Sequence, residues 1–277
     1  MSDSPVTVPN NTTVLAGLFD PEVASGLINQ KLVDAIKLSP LAIINTELEG
    51  TPGSKIVLPA YNYIGDSEAV GEEDDLPIKK LTQTTDEVEI IEEGVAVEIT
   101  DRAQLMGYGD AMGEAVNQIV TAVASGVEKA LIADATTNAQ LVYAKQSGVN
   151  EADTIADALT LFGEDIDGEK VLLIDPSFYA KLRKTDDWIP NTEIGADMIV
   201  RGTVGMIHGC QVVPMNRLKN KNLAFIVKRG ALAIFSKRNV LVEYDRDILG
   251  RKSVIAGSKM YAPYVYDKSK LIKITLQ

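Results

Sequence analysis

Between Asp110 and Ala135 the residues Met112, Val116, Ile119, Val123, Val127, Ala130 and Leu131 step by three or four, the strongest periodic signal in the chain. That spacing predicts an amphipathic helix, and at 1.5 Å per residue it spans roughly 39 Å. A helix of this length can act as the spine of a flat domain. Its small residues, Ala111, Gly113, Ala115, Ala122, Ala124, Ser125 and Gly126, would let sheet or helix pack closely on more than one side.

Upstream of the spine the pattern changes twice. The first twenty residues, with Pro5, Pro9, Asn10, Asn11 and Thr12 and no apolar period, read as an extended arm that something else must order. From Pro21 a short helix is expected, capped by Asp20, with Val23, Leu27, Leu32, Ala35 and Ile36 inward and a stop near Ser39-Pro40. Lys55 to Tyr63 then alternates, as does a stretch from Val88 to Ile99, with a bulge expected across Ile91 to Gly94. These strands flank a polar, acidic tip from Gly65 to Lys80. A two-stranded hairpin is marginal in water, so it must fold onto the body or lie against a neighbouring molecule.

Downstream, Thr154 to Phe162 reads as a helix, Lys170 to Ile174 as a buried strand, and Asp175-Pro176 as the start of a helix carrying Phe178, Tyr179 and Leu182. Strand-like runs follow at Cys210–Val213, Leu223–Val227, Ala231–Phe235, Val240–Tyr244, Ser253–Tyr266 and Leu271–Leu276, with turns at Arg229-Gly230 and Arg238-Asn239. The fold class is α+β.

Little in the sequence offers chemistry. With 277 residues, 45% of them hydrophobic, the chain can bury a substantial core, yet no window approaches the roughly 18 apolar residues of a membrane span. Met1 to Asn10 lacks the layout of a signal peptide, so the expectation is a protein that stays in the cytoplasm where it is made. One cysteine, Cys210, excludes an intrachain disulfide, and the single His208 leaves too few soft ligands for zinc. Gly50-Thr-Pro-Gly-Ser-Lys55 is too short for a phosphate loop, and Gly202 to Gly209 misses the dinucleotide spacing. A calcium loop starting at Asp165 would put Pro176 where glutamate belongs. On one strand His208 and Cys210 would share a face, which reads as structural before it reads as a nucleophilic pair. No catalytic residue, cofactor or metal is expected.

Charge is distributed unevenly. Twelve acids lie between Asp66 and Glu98 against Lys79 and Lys80, whereas fifteen Lys and Arg follow Val200 against four acids. Either these are solvated faces, or acidic and basic segments of different copies meet in an assembly. The net charge of −12 argues against direct nucleic-acid binding.

The order of elements resembles the major capsid proteins of tailed phages with the HK97-like fold. The likeness rests on Gly50-Thr-Pro-Gly-Ser-Lys-Ile-Val-Leu-Pro59 leading into the hairpin, Thr100-Asp-Arg102 before the spine, and Gly202-Thr-Val-Gly-Met-Ile-His-Gly209 followed by Cys210-Gln-Val-Val213. Val242-Glu-Tyr-Asp-Arg-Asp247, Tyr261 to Asp267 and Lys270-Leu-Ile-Lys-Ile274 extend it over nearly the whole chain. The resemblance implies an N-terminal arm and short helix (1–52), an E-loop hairpin (53–100), a spine helix of the P-domain (101–149), an A-domain (150–225) and returning P-domain strands (226–277). It implies hexamers and pentamers of an icosahedral shell around double-stranded DNA, with no sequence-specific binding, no membrane and no enzymatic role. Separate scaffolding, portal and decoration proteins are the expected partners, and the virion capsid, assembled in the host bacterial cytoplasm, the expected location. An encapsulin-like compartment and a soluble α/β enzyme are the alternatives. For a contact between copies, the expected residues are Glu72, Glu73, Asp74 and Asp75 on one and Arg246, Arg251 and Lys252 on another.

Overall fold

The structure, a computed structural model, describes residues 21–50, 52–61, 78–107, 110–165, 167–185, 187–190, 204–219 and 221–276. The N-terminal arm with Asp20, and Glu72, Glu73, Asp74 and Asp75 of the acidic tip, lie outside them. The first half of the chain forms α1 (Pro21–Ala35), β1 (Ala42–Asn45), β2 (Lys55–Tyr61), β3 (Gln83–Glu89), β4 (Ile91–Thr100), α2 (Asp101–Met106) and α3 (Ala111–Asn138). There follow β5 (Leu141–Ala144), α4 (Glu151–Leu159), β6 (Lys170–Ile174), α5 (Pro176–Leu182), β7 (Ile189–Pro190), β8 (Gly205–Ile207) and β9 (Cys210–Pro214). The last strands are β10 (Leu223–Lys228), β11 (Leu232–Asp247), β12 (Lys252–Val265) and β13 (Leu271–Thr275).

Three sheets result. One has four strands in the order β1-β11-β12-β4, one has seven in the order β5-β13-β10-β6-β9-β8-β7, and β2 pairs β3 in a sheet of their own. The chain forms two compact units. One gathers α1, Gly94–Ala124 and Val240–Lys259; the other gathers Ile36–Glu93, Ser125–Asn239 and the chain from Met260.

In the first unit α3 begins where Asp110 Oδ1 accepts the Met112 and Gly113 N–H groups at 3.1 and 3.0 Å, satisfying donors that the helix leaves unpaired. Val116, Ile119, Val120 and Val123 are buried here. Gly257 of β12 lies against Ile119 so closely that a Cβ would meet its Cγ2 at 2.6 Å. A glycine on the strand makes this approach, and in the second unit Gly126 of α3 makes another, against the Glu93 carboxylate. Helix α1 buries Ala24, Ile28 and Leu32, while Leu27 and Ala35, expected inward, are exposed. Asn29 accounts for the rotation: its side chain donates to the Val240 carbonyl at 3.3 Å and accepts the Val240 N–H at 2.9 Å, which turns the helix by one position.

In the second unit the seven-stranded sheet carries the larger core. All five residues of β6 are buried between parallel β9 and antiparallel β10, and Ile155, Leu159, Phe178 and Leu182 of α4 and α5 pack with Leu172, Ile226 and Ile272. The continuous apolar runs of these strands fit burial on both faces.

Three local expectations are corrected. No bulge interrupts Ile91 to Gly94: alternation continues through β4, with Glu93 in a half-buried position where it accepts the Tyr261 hydroxyl at 3.0 Å. An inward carboxylate made the period look broken, while β3 and β4 belong to different sheets and change over at Ile90. Arg238-Asn239 is no turn but the middle of β11, where Arg238 pairs with Glu92 at 2.7 Å and Asn239 donates to Glu49 at 2.8 Å. His208 does not share a strand with Cys210; with φ of 46° it forms, with Gly209, the tight turn between β8 and β9.

Candidate assembly surface

The β2–β3 hairpin is anchored at its base. Ile56 and Leu58 on alternating positions of β2, Val88 of β3 and Ile90 just beyond it pack against buried Phe235, Ala262 and Tyr264. Beside this apolar contact, Asp86 accepts Lys268 Nζ at 2.8 Å and the Tyr264 hydroxyl at 3.0 Å. The Lys268 and Tyr264 hydrogen bonds hold the Asp86 carboxyl below its usual range, and burial together with Asp86 pushes the Tyr264 phenol up to about 12. A lowered carboxylate pKa stabilises the fold above the unfolded value of about 3.9, and that contribution is lost as pH falls through the folded value. With both partners about one-third exposed the effect is at most about 1 kcal/mol. We expect Asp86→Asn to flatten the stability profile between about pH 5 and 2; wild-type and variant curves of equal slope in urea titrations would remove the role assigned to Asp86.

The uneven charge of the sequence is partly resolved inside each unit. In the second, Asp86 meets Lys268, Glu92 meets Arg238 at 2.7 Å, and Lys55 lies between Glu87 and Glu89 at 3.3 and 3.7 Å. In the first, Glu98 meets Lys252 and Asp101 meets Arg246, both at 3.0 Å. The hairpin acids that the sequence left without local partners thus have several. Of the residues expected at a contact between copies, Arg246 and Lys252 already hold carboxylates of their own chain. Arg251 is exposed in the turn between β11 and β12, with φ of 51° and its carbonyl accepting the Asp101 N–H at 3.0 Å. Nothing described places Glu72, Glu73, Asp74 or Asp75.

Sequence reasoning passed over Glu128. It lies on the buried arc of α3 between Ala124 and Ile132, is 2% exposed, and takes the Lys37 N–H and the Arg217 guanidinium. The available signal was a carboxylate four residues from an apolar neighbour on either side.

Chemistry of a catalytic kind is not assembled among the described residues. Burial pushes the Cys210 thiol up to about 12, and its sulfur lies 3.9 Å from the His208 carbonyl. A cleft of about 300 Å³ is lined by Asp86, Glu87, Glu89, Asp134, Tyr264 and Lys268 among others, without a serine, cysteine or histidine. Among the described residues no group of three or more His, Cys, Asp or Glu is placed to hold a metal, and no described helix is long and apolar enough to cross a membrane.

A family model described as phage capsid protein matches residues 84–274. The chain belongs to the phage capsid protein family. It is 30% identical over 270 residues to the major capsid protein of Staphylococcus phage phiMR11, a match that covers 97% of each chain. Among solved structures it is similar to the capsid of cyanophage P-SCSP1u, with a TM-score of 0.66, 16% identity and 86% of each chain covered. The capsid of an empty GTA particle gives 0.67 at 15% identity, covering 87% of this chain and 90% of that one. The capsid of Ralstonia phage GP4 gives 0.67 at 11%, covering 86% and 87%. The α+β fold is accordingly the HK97-like one. A phage major capsid protein is a structural protein and not an enzyme, and these likenesses do not favour the encapsulin-like alternative.

Proposed function

We propose that the chain assembles with copies of itself into hexamers and pentamers that close an icosahedral shell around double-stranded DNA. The observation that carries this reading is the 30% identity to a phage major capsid protein along 97% of both chains. In the shell, residues 53–100 act as an E-loop, 101–149 and 226–277 as a P-domain, and 150–225 as an axial A-domain, with 1–52 as the N-terminal arm and short helix, of which the arm of the first twenty residues is ordered by neighbours. A sequence pI of about 4.7 suits a wall that encloses DNA without gripping it. Assembly takes place in the host bacterial cytoplasm, with separate scaffolding, portal and decoration proteins as further partners. Negative-stain microscopy of the purified chain should show shells or ring-shaped capsomers; a small oligomer forming neither would overturn the reading.

Between copies, Glu72, Glu73, Asp74 and Asp75 of one hairpin meet Arg246, Arg251 and Lys252 of another. Arg246 and Lys252, partly exposed and already paired with Asp101 and Glu98, would share their charge with the incoming carboxylates, while Arg251 is exposed. Exposed pairs contribute at most about 1 kcal/mol each and are screened over roughly 8 to 10 Å at physiological salt, so they steer and set register more than they hold. Reversal of the four acids to lysine is expected to slow or misdirect assembly, with partial rescue by matching reversals of the three cations. Assembly of the quadruple reversal at the wild-type rate, with unchanged salt dependence in light scattering, would reduce these segments to solvated faces.

A further inference from the structure

A cleft of about 300 Å³ in the second unit runs between the base of the hairpin, the last turn of α3 and the end of β12. Glu87 and Glu89 line its exposed side and are held by Lys55 at 3.3 and 3.7 Å. That leaves Asp86 of β3 and Asp134 of α3 to share one ammonium group, Lys268. Asp86 takes it at 2.8 Å, with the Tyr264 hydroxyl at 3.0 Å. Asp134 is left short of donors: Oδ1 accepts the Asn138 amide, one turn along the helix, at 2.6 Å, while Oδ2 is buried with no hydrogen-bond partner. A buried acceptor without a donor destabilises a fold, and a charged one does so more. Burial accordingly lifts the Asp134 carboxyl above its ordinary value, against the Asn138 amide, the Val265 N–H and Lys268, which draw it down. Two carboxylates on one cleft are thus pushed in opposite directions.

We propose that Asp134 is a proton-operated joint, which takes one proton from solution on Oδ2 and so draws the end of α3 and the base of the hairpin together within a single subunit. In the neutral carboxyl Oδ2 carries the proton and becomes a donor, to water in the cleft or to the Asp86 carboxylate. Repulsion between the two carboxylates ends in the same step, and Lys268 is left to Asp86 alone. The other charged and titratable groups around the joint are Glu87 and Glu89 of β3, the Tyr264 phenol of β12, and Lys273 of β13, which donates to the Thr136 carbonyl at 2.9 Å. Folded, the Asp134 carboxyl binds a proton at a pH where the unfolded chain, with an ordinary value of about 3.9, does not. The joint therefore gains stability as pH falls from neutral toward about 4. Below about pH 4 the Asp86 contribution is lost in turn, so the cleft is tightest near that value. Solution pH by itself then sets how readily the hairpin base leaves the body, whatever the subunit assembles into.

The test follows amide hydrogen exchange in β3 and the end of β12 of the full chain, corrected for the intrinsic effect of pH on exchange. Between about pH 7 and about pH 4 the wild-type chain should gain at least about threefold in protection there relative to Asp134→Asn, whose side chain cannot take up the proton. Asn138→Ala, which removes the donor to Oδ1, should move that gain to higher pH, because the charged form then loses a hydrogen bond. Equal pH dependence in the wild type and Asp134→Asn would overturn the proposal. Should Asp134→Asn fold poorly, Asn138→Ala decides: a profile unmoved or shifted to lower pH would remove Asp134 as the proton acceptor.

Discussion

Val123→Asp is expected to leave little folded protein. Val123 is 3% exposed on the buried face of α3, so the variant carries a carboxylate into the core with no partner built for it. Such burial costs several kcal/mol, about 4 or more, against a total stability of about 5 to 15 kcal/mol. For a chain of this size that corresponds to a fall in Tm of roughly 10 °C, with most of the product insoluble on expression. The same charge one position earlier, at exposed Ala122, costs under about 1 kcal/mol through helix propensity alone. Thermal melts of the two variants measure the orientation of the spine directly. Equal melts would mean that α3 presents a different face to the core.

Glu128→Ala is the second large effect, and it has a different cause. The wild-type carboxylate is itself buried, yet its charge is met by Arg217 and its oxygens by Arg217 and the Lys37 N–H. Removing it leaves the Arg217 guanidinium, 29% exposed, and a backbone donor without their acceptor, at a cost of about 3 kcal/mol. The loss should persist at about 0.5 M salt, because a buried pair is barely screened, whereas exposed pairs such as Lys252–Glu98 fade. Replacing both partners, as in Glu128→Leu with Arg217→Met, should recover much of the loss, since neither charge then remains buried alone. A double variant as unstable as Glu128→Ala in urea titrations would show that the pair matters through shape instead of charge.

The two residues show how far the sequence carried. Val123 was legible because a 3.6-residue period over two dozen positions leaves one apolar face, and burial of that face dominates the energy of any helix in water. Glu128 sits on the same arc, but period alone treats a carboxylate as a sign of solvent. Only the approach of Arg217 and Lys37, both about ninety residues away in sequence, makes an inward position tolerable. The same reason explains Glu93, whose inward turn toward Tyr261 looked like a broken strand, and Arg238-Asn239, whose polar character looked like a turn until Glu92 and Glu49 were found opposite.

At the assembly surface the division is similar. Counts of acids and cations were readable, and so was the two-stranded hairpin, which has only a short apolar face. Where each charge goes was not, because an ion pair depends on which strands are brought alongside each other, and a period of two residues says nothing of that. Sequence alone determined the spine helix, the strands around Lys170–Ile174 and Leu223–Val227, and the order of elements by which the chain resembles phage capsid proteins. These are local patterns that burial of apolar surface enforces wherever they occur. Tertiary structure decided the rotation of α1, the change of sheet at Ile90, the burial of Glu128, and the pairing of Asp86, Glu92, Glu98 and Asp101 with cations of the C-terminal half. Each of those is a polar group whose position is set by a partner distant in the chain, and a polar side chain carries no periodic signature of its partner.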